Sequence, residues 1–192
     1  MPADNPGEIT QLLKKARNGD KLAENRLAES LMPELRRMAS VYLRRDFRAD
    51  SMETGDLVNE IYLKASPALK TFNDSAHFKA FVATAMYHHL IDRARKIIAR
   101  KNRLGERAPF EEADLAPIED EGAASVERAL QIAQLDKAMR ELESEDPRAV
   151  RVVKLKSGGL TNKEIAESLG VDESTVKRDW RAARAYLASR VG

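Results

Sequence analysis

The sequence predicts an all-α chain: a small helical bundle and a small helix-turn-helix domain, joined by a flexible acidic linker. Three observations predict it. Apolar residues recur at helical spacing along most of the chain, with no period-two strand and no internal repeat. The charge then inverts abruptly, from Arg93, Arg95, Lys96, Arg100, Lys101, Arg103 and Arg107 to Glu111, Glu112, Asp114, Glu119, Asp120, Glu121 and Glu127. Finally, the stretch Leu160 to Leu187 carries the start, turn and face pattern of two short helices in tandem. These observations divide the chain into a first domain at 8–104, a linker at 105–125 and a second domain at 126–190.

The first helix is expected over Ile9 to Arg17, where Ile9, Leu12, Leu13 and Ala16 are in phase, and Asn18-Gly19 stops it. Asp20 caps a second helix carrying Ala23, Leu27 and Leu31. Pro33 is expected to break the chain before a third helix through Leu35, Met38, Val41 and Tyr42. After the polar turn RDFRADSME, Thr54 can cap a helix holding Leu57, Val58, Ile61, Tyr62 and Ala65, which Pro67 closes. A loop around Thr71 to Ala76 leads into a long helix, His77 to Arg100, with Phe78, Val82, Met86, Leu90, Ala94 and Ile97 as its apolar stripe. Its opposite face shows Thr84, His88, Asp92 and Arg95.

The acidic stretch that follows has Pro109, Pro117 and Gly122 and few large apolar residues, which suits a linker. A helix from Ser125 to Glu143 then turns Ala129, Ile132, Leu135, Met139 and Leu142 to one side. Asp146-Pro147 is an N-cap with proline at the first helical position, opening a helix to about Lys156. Gly158-Gly159 turns the chain.

Thr161 with Glu164 three places on is a capping box for a short helix with Ile165, Ala166 and Leu169, which Gly170 ends. Asp172 can cap the next helix, where Val176, Trp180, Ala183 and Leu187 share one face. Its outward face carries Ser174, Arg178, Arg181 and Ala185, flanked by Thr175 and Lys177. Such a face suits a major groove: Arg forks onto guanine, Ser and Thr bond base edges or phosphates, and Lys supplies charge. The competing reading of this segment is a solvated basic face on an ordinary helical hairpin. Trp180 is in phase with the apolar stripe, so it reads as core rather than as a stacking residue.

Composition narrows the function. The 192 residues hold 33 Lys and Arg against 31 Asp and Glu, a net charge of only +2, so segregation of charge matters more than its sum. With no cysteine, disulfides, thiolate metal sites and cysteine nucleophiles are excluded. No apolar run approaches the roughly 20 residues of a membrane span, and MPADNPGEIT lacks the blocks of a signal peptide, so a cytoplasmic protein without membrane insertion is expected. His88 and Asp92 are one turn apart, but no second cluster completes a metal shell. There is no phosphate-cradling glycine loop and no carboxylate pair in an apolar site, so neither catalysis nor a cofactor is expected.

In order, the motifs TGDLVNEIYLKA, HFKAF…HLIDRARK and GGLTNKEIAESLGVDESTVKRDWRAARAYL resemble those of the extracytoplasmic-function group of sigma-70-type RNA polymerase sigma factors. The resemblance runs from about Ile9 to Leu187. It implies a sigma-2-like domain that binds the clamp of core RNA polymerase and melts the minus 10 promoter element, and a sigma-4-like domain that reads the minus 35 element. Core polymerase, through clamp and flap, and promoter DNA are the partners it implies, and an anti-sigma protein is compatible with them. Two departures stand out. His88 and His89 stand where such factors often carry arginine, and KLKSGG before Leu160 lacks their usual aromatic residue.

By position, the resemblance assigns Asp56, Leu57, Asn59, Glu60 and Leu63 to the clamp. An amphipathic helix that packs only inside its own domain is equally compatible with that segment. It assigns Asn73, Asp74, Ser75 and His77 to a loop that takes an extruded base of the non-template strand, and Tyr87, His88, Asp92, Arg93 and Arg95 to the helix approaching the minus 10 element. Ser174, Thr175, Lys177, Arg178 and Arg181 fall on the minus 35 reading helix. From the residues alone, the alternative function is a free-standing helix-turn-helix regulator whose N-terminal helices sense a ligand or dimerise.

Overall fold

The apolar positions along residues 78–97 build the longest element, and the others pack around it. The computed structural model describes residues 6–46, 54–105 and 123–191. Its elements are α1 (Pro6–Arg17), α2 (Lys21–Asp46), α3 (Thr54–Ala65), a 3-10 turn (Ser66–Thr71), α4 (Ser75–Gly105), α5 (Ala123–Glu145), α6 (Pro147–Ser157), α7 (Asn162–Leu169) and α8 (Glu173–Val191). Among the described residues all regular structure is helical. The acidic residues Glu111 to Glu121, residues 47–53 of the polar turn and the Thr54 side chain lie outside the described residues. Helices reach into both ends of the expected linker, since Gly105 ends α4 and Ser125 lies inside α5.

Gly19, at φ 87°, ends α1 in a backbone region where a side chain would be strained. Asp20 Oδ1 then accepts from the N–H groups of Leu22 and Ala23 at 3.0 and 3.1 Å, giving α2 the predicted cap. Pro33 does not break the chain; it lies inside α2. A proline in a helix interior costs about 3 kcal/mol through its missing hydrogen bond and ring clash. Leu27, Leu31, Leu35 and Met38 are fully buried on one face across it. Burial of such side chains stabilises by about 1.5–3 kcal/mol each, so a continuous helix outweighs the break.

Pro67 closes α3 as expected, and the chain passes through the 3-10 turn to Phe72, which packs edge-on against Phe78 with ring centroids 5.4 Å apart. Arg17 holds this corner from α1, donating to the Phe72 carbonyl at 2.8 Å and to Asn73 Oδ1 at 3.2 Å. Asp74 Oδ1 accepts from the His77 N–H at 2.8 Å and so opens α4. The predicted stripe of α4 is buried throughout, from Phe78 to Ile97.

Asp146 Oδ1 accepts from the Ala149 N–H at 2.9 Å and Pro147 starts α6, as the sequence predicts. The capping box at α7 is complete. The Thr161 N–H donates to Glu164 Oε2 at 2.8 Å, and the Glu164 N–H donates to Thr161 Oγ1 at 3.2 Å. Gly170 ends α7 in the left-handed region, at φ 65°, where glycine carries no steric penalty. Helix α4 packs on α1, α2 and α3 and also on α5, α6 and α7. Buried residues of the first four helices and the last four form one continuous core. At the seam, a Cβ on Gly158 would collide with Ala83 Cβ, so only glycine lets the α6–α7 turn sit this close to α4.

Candidate nucleic-acid interface

Helix α8 owes its orientation to an inward face of mixed character. Val176, Ala183 and Leu187 are buried, and Trp180 is half-buried against the core, as its phase predicts. Asp179, 4% exposed, lies on the same side. The Arg148 guanidinium of α6 donates to the two Asp179 oxygens at 2.6 and 3.3 Å. Such a forked, charge-assisted pair fixes the rotation of α8. Periodicity cannot find this lock, because its partner is a charged residue on another helix.

The opposite side of α8 presents Ser174, Lys177, Arg178 and Arg181, all exposed, with Thr175 half-buried beside them. Arg178 extends well into solvent, its side chain 71% exposed and the Asp179 carboxylate 3.7 Å away. An open cleft of about 830 Å³ runs between α8 and the α6–α7 turn, with Lys156, Lys177, Arg181 and Arg184 around Trp180 and Leu160. Lys156 and Arg184 are additions to the residues expected from sequence. Arg184 shares the phase of Lys177 and Arg181, a signal that the sequence carries, whereas Lys156 reaches the cleft only because the turn folds back.

The residues assigned to the first domain are less uniformly accessible. In the loop before α4, Asn73 and His77 are exposed, and the His77 ring meets Phe72 edge-on at 5.4 Å. Asp74 is engaged in capping α4, and Ser75 is buried. Along α4, His88 and Asp92 are exposed and Arg93 is half-buried. Tyr87 departs from expectation. Only 6% exposed, it donates to Asp136 Oδ1 of α5 at 3.3 Å, and Lys154 of α6 lies 5.3 Å from its ring centroid. Burial, and then the charge and hydrogen bond of Asp136, raise its pKa above the ordinary tyrosine value. Arg95 also reaches Asp136, at 3.2 Å. A direct DNA contact is therefore closed to Tyr87 in this arrangement, because it faces the second group of helices.

On α3, Asp56, Asn59 and Leu63 are exposed, Leu63 at 70%. Leu57 is fully buried, so it anchors the helix from beneath and offers no outer surface; the apolar phase of Leu57, Val58 and Ile61 turns it inward. Glu60 pairs with Lys64 at 2.7 Å and with His89 of α4 at 2.8 Å. Burial would raise its pKa, but the hydrogen bonds from Lys64 and His89 outweigh that and lower it.

One ionic cluster has no signal in the sequence. Lys79 of α4 is buried between Glu34 of α2, at 3.2 Å, and Glu164 of α7, at 2.8 Å. Burial alone would lower the Lys79 pKa, yet the hydrogen bond to Glu164 and the charges of Glu34 and Glu164 raise it. For Glu164, burial raises the pKa and the bonds from Lys79 and Thr161 more than offset it, so the carboxylate stays charged. Among the described residues, no group of three or more His, Asp or Glu could hold a metal ion, and no helix is long and apolar enough to cross a membrane.

A comparison with curated proteins finds no match. A family model described as ECF sigma factor matches residues 6–191, nearly the whole chain, from the start of α1 to the end of α8. With the helix-turn-helix and its exposed basic face inside that match, the chain belongs to the ECF sigma factors, which bind RNA polymerase and direct transcription initiation at promoters.

Proposed function

We propose that the chain divides its work between a first domain at 8–104, which binds the clamp of core polymerase and melts the minus 10 element, and a second at 126–190, which reads the minus 35 element and meets the flap. The observation that carries this reading is the outer face of α8, where Lys177, Arg178 and Arg181 stand exposed while Asp179 and Arg148 fix the helix beneath them. Arg178 and Arg181 read bases there, Lys177 holds phosphate, and Ser174 and Thr175 bond at the helix start.

Asp56, Asn59, Glu60 and Leu63 of α3 form the clamp-facing surface, an exposed leucine ringed by polar and acidic groups, over Leu57 as its support. Asn73 and His77 receive an extruded base, with Asp74 and Ser75 shaping the loop; the extrusion costs a few kcal/mol that neighbouring groups must offset. His88, Asp92, Arg93 and Arg95 approach the minus 10 element. The acidic residues Glu111 to Glu121 occupy a basic template-strand or RNA path in polymerase, where their charge mimics nucleic acid. An anti-sigma protein is a further partner.

Transcription with purified core polymerase on a promoter library tests the whole reading. The expected result is a shared pair of elements upstream of the starts. Failure to co-purify with any core subunit, together with no transcript from any template, overturns it.

A further inference from the structure

The cleft beside α8 is more than an edge of the reading face. It encloses about 830 Å³, within the range of about 300–1,000 Å³ that suits a small-molecule site. Its cations are Lys156 of α6 and Lys177, Arg181 and Arg184 of α8, and no aspartate or glutamate lines it. Among the described residues, the ion pairs of α8 engage Arg178, Asp179 and Arg190, leaving Lys177, Arg181 and Arg184 without a carboxylate partner. Unneutralised cations around a concave wall focus a positive potential inside it. The rest of the wall is apolar: Trp180, half-buried against the core, also borders the cleft, beside Leu160. A recognition helix touches base edges with residues near its N-terminal end. Arg184 stands nearly a turn beyond Arg181, and Lys156 belongs to another helix, so these two cations and Trp180 lie behind the reading residues.

We propose that the cleft binds a free nucleoside polyphosphate, with its base laid on Trp180 and Leu160 and its phosphates held by Lys156, Lys177, Arg181 and Arg184. Each part of such a ligand meets its counterpart. A base stacks on an aromatic ring largely without regard to its sequence identity, and guanidinium groups fork onto phosphate oxygens while ammonium groups act as point charges. Inorganic phosphate would leave the Trp180 wall uncovered. A duplex, whose bases are stacked on one another, could offer the cleft its phosphates but no base face. A bound nucleotide also takes Lys177 and Arg181 away from minus 35 DNA, so nucleotide and promoter exclude each other on α8. That consequence rests on the proposed function; the site itself does not.

The chain has a single tryptophan, so indole emission of the full-length protein reports on the cleft alone. GTP and ATP are titrated without polymerase or DNA, and inorganic tripolyphosphate is then tested for its ability to displace GTP. Either nucleotide should change Trp180 emission saturably, with a Kd of about 1 mM or tighter, and tripolyphosphate should compete at least tenfold more weakly than ATP. Arg184→Glu should weaken GTP binding at least tenfold. Arg151→Glu, the same charge change at an exposed α6 position outside the cleft, should weaken it less than twofold. Circular dichroism checks that both variants keep their helix content. No saturable change in the wild type, or equal losses in the two variants, overturns the site. Tripolyphosphate competing as well as ATP shows an anion cleft without a base subsite, and also overturns it.

A second readout locates the ligand directly. Acetic anhydride labelling of lysines, followed by mass spectrometry, should slow at least threefold at Lys156 and Lys177 when GTP is added. Labelling of Lys137, exposed on α5, should not change. Unprotected Lys156 and Lys177 overturn the placement. Failure of the wild type to initiate on any template, with GTP binding as expected, overturns the proposed function and leaves the nucleotide site standing; initiation without nucleotide binding does the reverse.

Discussion

Gly158→Ala is the smallest change that probes how the two groups of helices meet. Gly158 has φ -72° and ψ 2°. Alanine adopts that conformation freely, so the substitution does not strain the backbone. The cost is steric. The new methyl would lie 3.0 Å from Ala83 Cα and closer still to Ala83 Cβ, against an ordinary contact of 3.4–4 Å. Restoring carbon–carbon contact distance requires the turn to retreat by about 1 Å. Overpacking of this kind costs about 1–3 kcal/mol. Loss of glycine's freedom in the unfolded chain returns about 0.4–1 kcal/mol. The net is a loss of up to about 2.6 kcal/mol, or a fall in Tm of up to about 10 °C for a chain of this size. Far-UV circular dichroism melts of Gly158→Ala, Ala83→Gly and the double variant measure it. Ala83→Gly alone should cost about 1 kcal/mol as a glycine inside a helix. In the Gly158→Ala background it should cost less, giving a coupling of at least about 0.5 kcal/mol. Strictly additive effects would refute the reasoning, since the methyl would then not be meeting Ala83 at all.

Other substitutions separate the roles proposed for the remaining groups. Arg178→Ala should relax base preference at one or two minus 35 positions by about 1–3 kcal/mol, whereas Lys177→Ala should weaken binding evenly and lower its salt slope by about 1; promoter-library transcription and salt titrations check both. A protein that keeps wild-type preference without Arg178 moves the reading face toward Thr175 and Lys177. Thr161→Ala removes one half of the α7 capping box. It should cost about 1 kcal/mol in denaturant melts. Because Glu164 has its pKa lowered by folding, its contribution is present above the ordinary carboxyl value of 4.5 and is lost as pH falls through the lowered value. Urea midpoints should therefore drop on acidification below about 4.5, and Lys79→Met should flatten that drop; an equal slope in both proteins refutes the pairing.

The helical class, the caps at Asp20, Asp146 and Thr161, the glycine stops and the buried stripe of α4 are legible in the sequence because each depends on residues within a turn or two of one another. The same locality makes the outer face of α8 readable, since phase against Val176 and Leu187 is enough to place Arg178 and Arg181 outside. Pro33 misleads because its local penalty is visible in the sequence, whereas the core that α2 covers on both sides of it is not. Leu57 follows the apolar phase it shares with Val58 and Ile61. Tertiary structure alone decided the rest. Tyr87 is hidden by Asp136, 49 residues away. Lys79 meets Glu34 and Glu164 from helices that no spacing rule connects, and Asp179 is held by an arginine 31 residues earlier. Buried charges need partners wherever the fold can bring them, and a periodic pattern records only that a position faces inward, not what waits there.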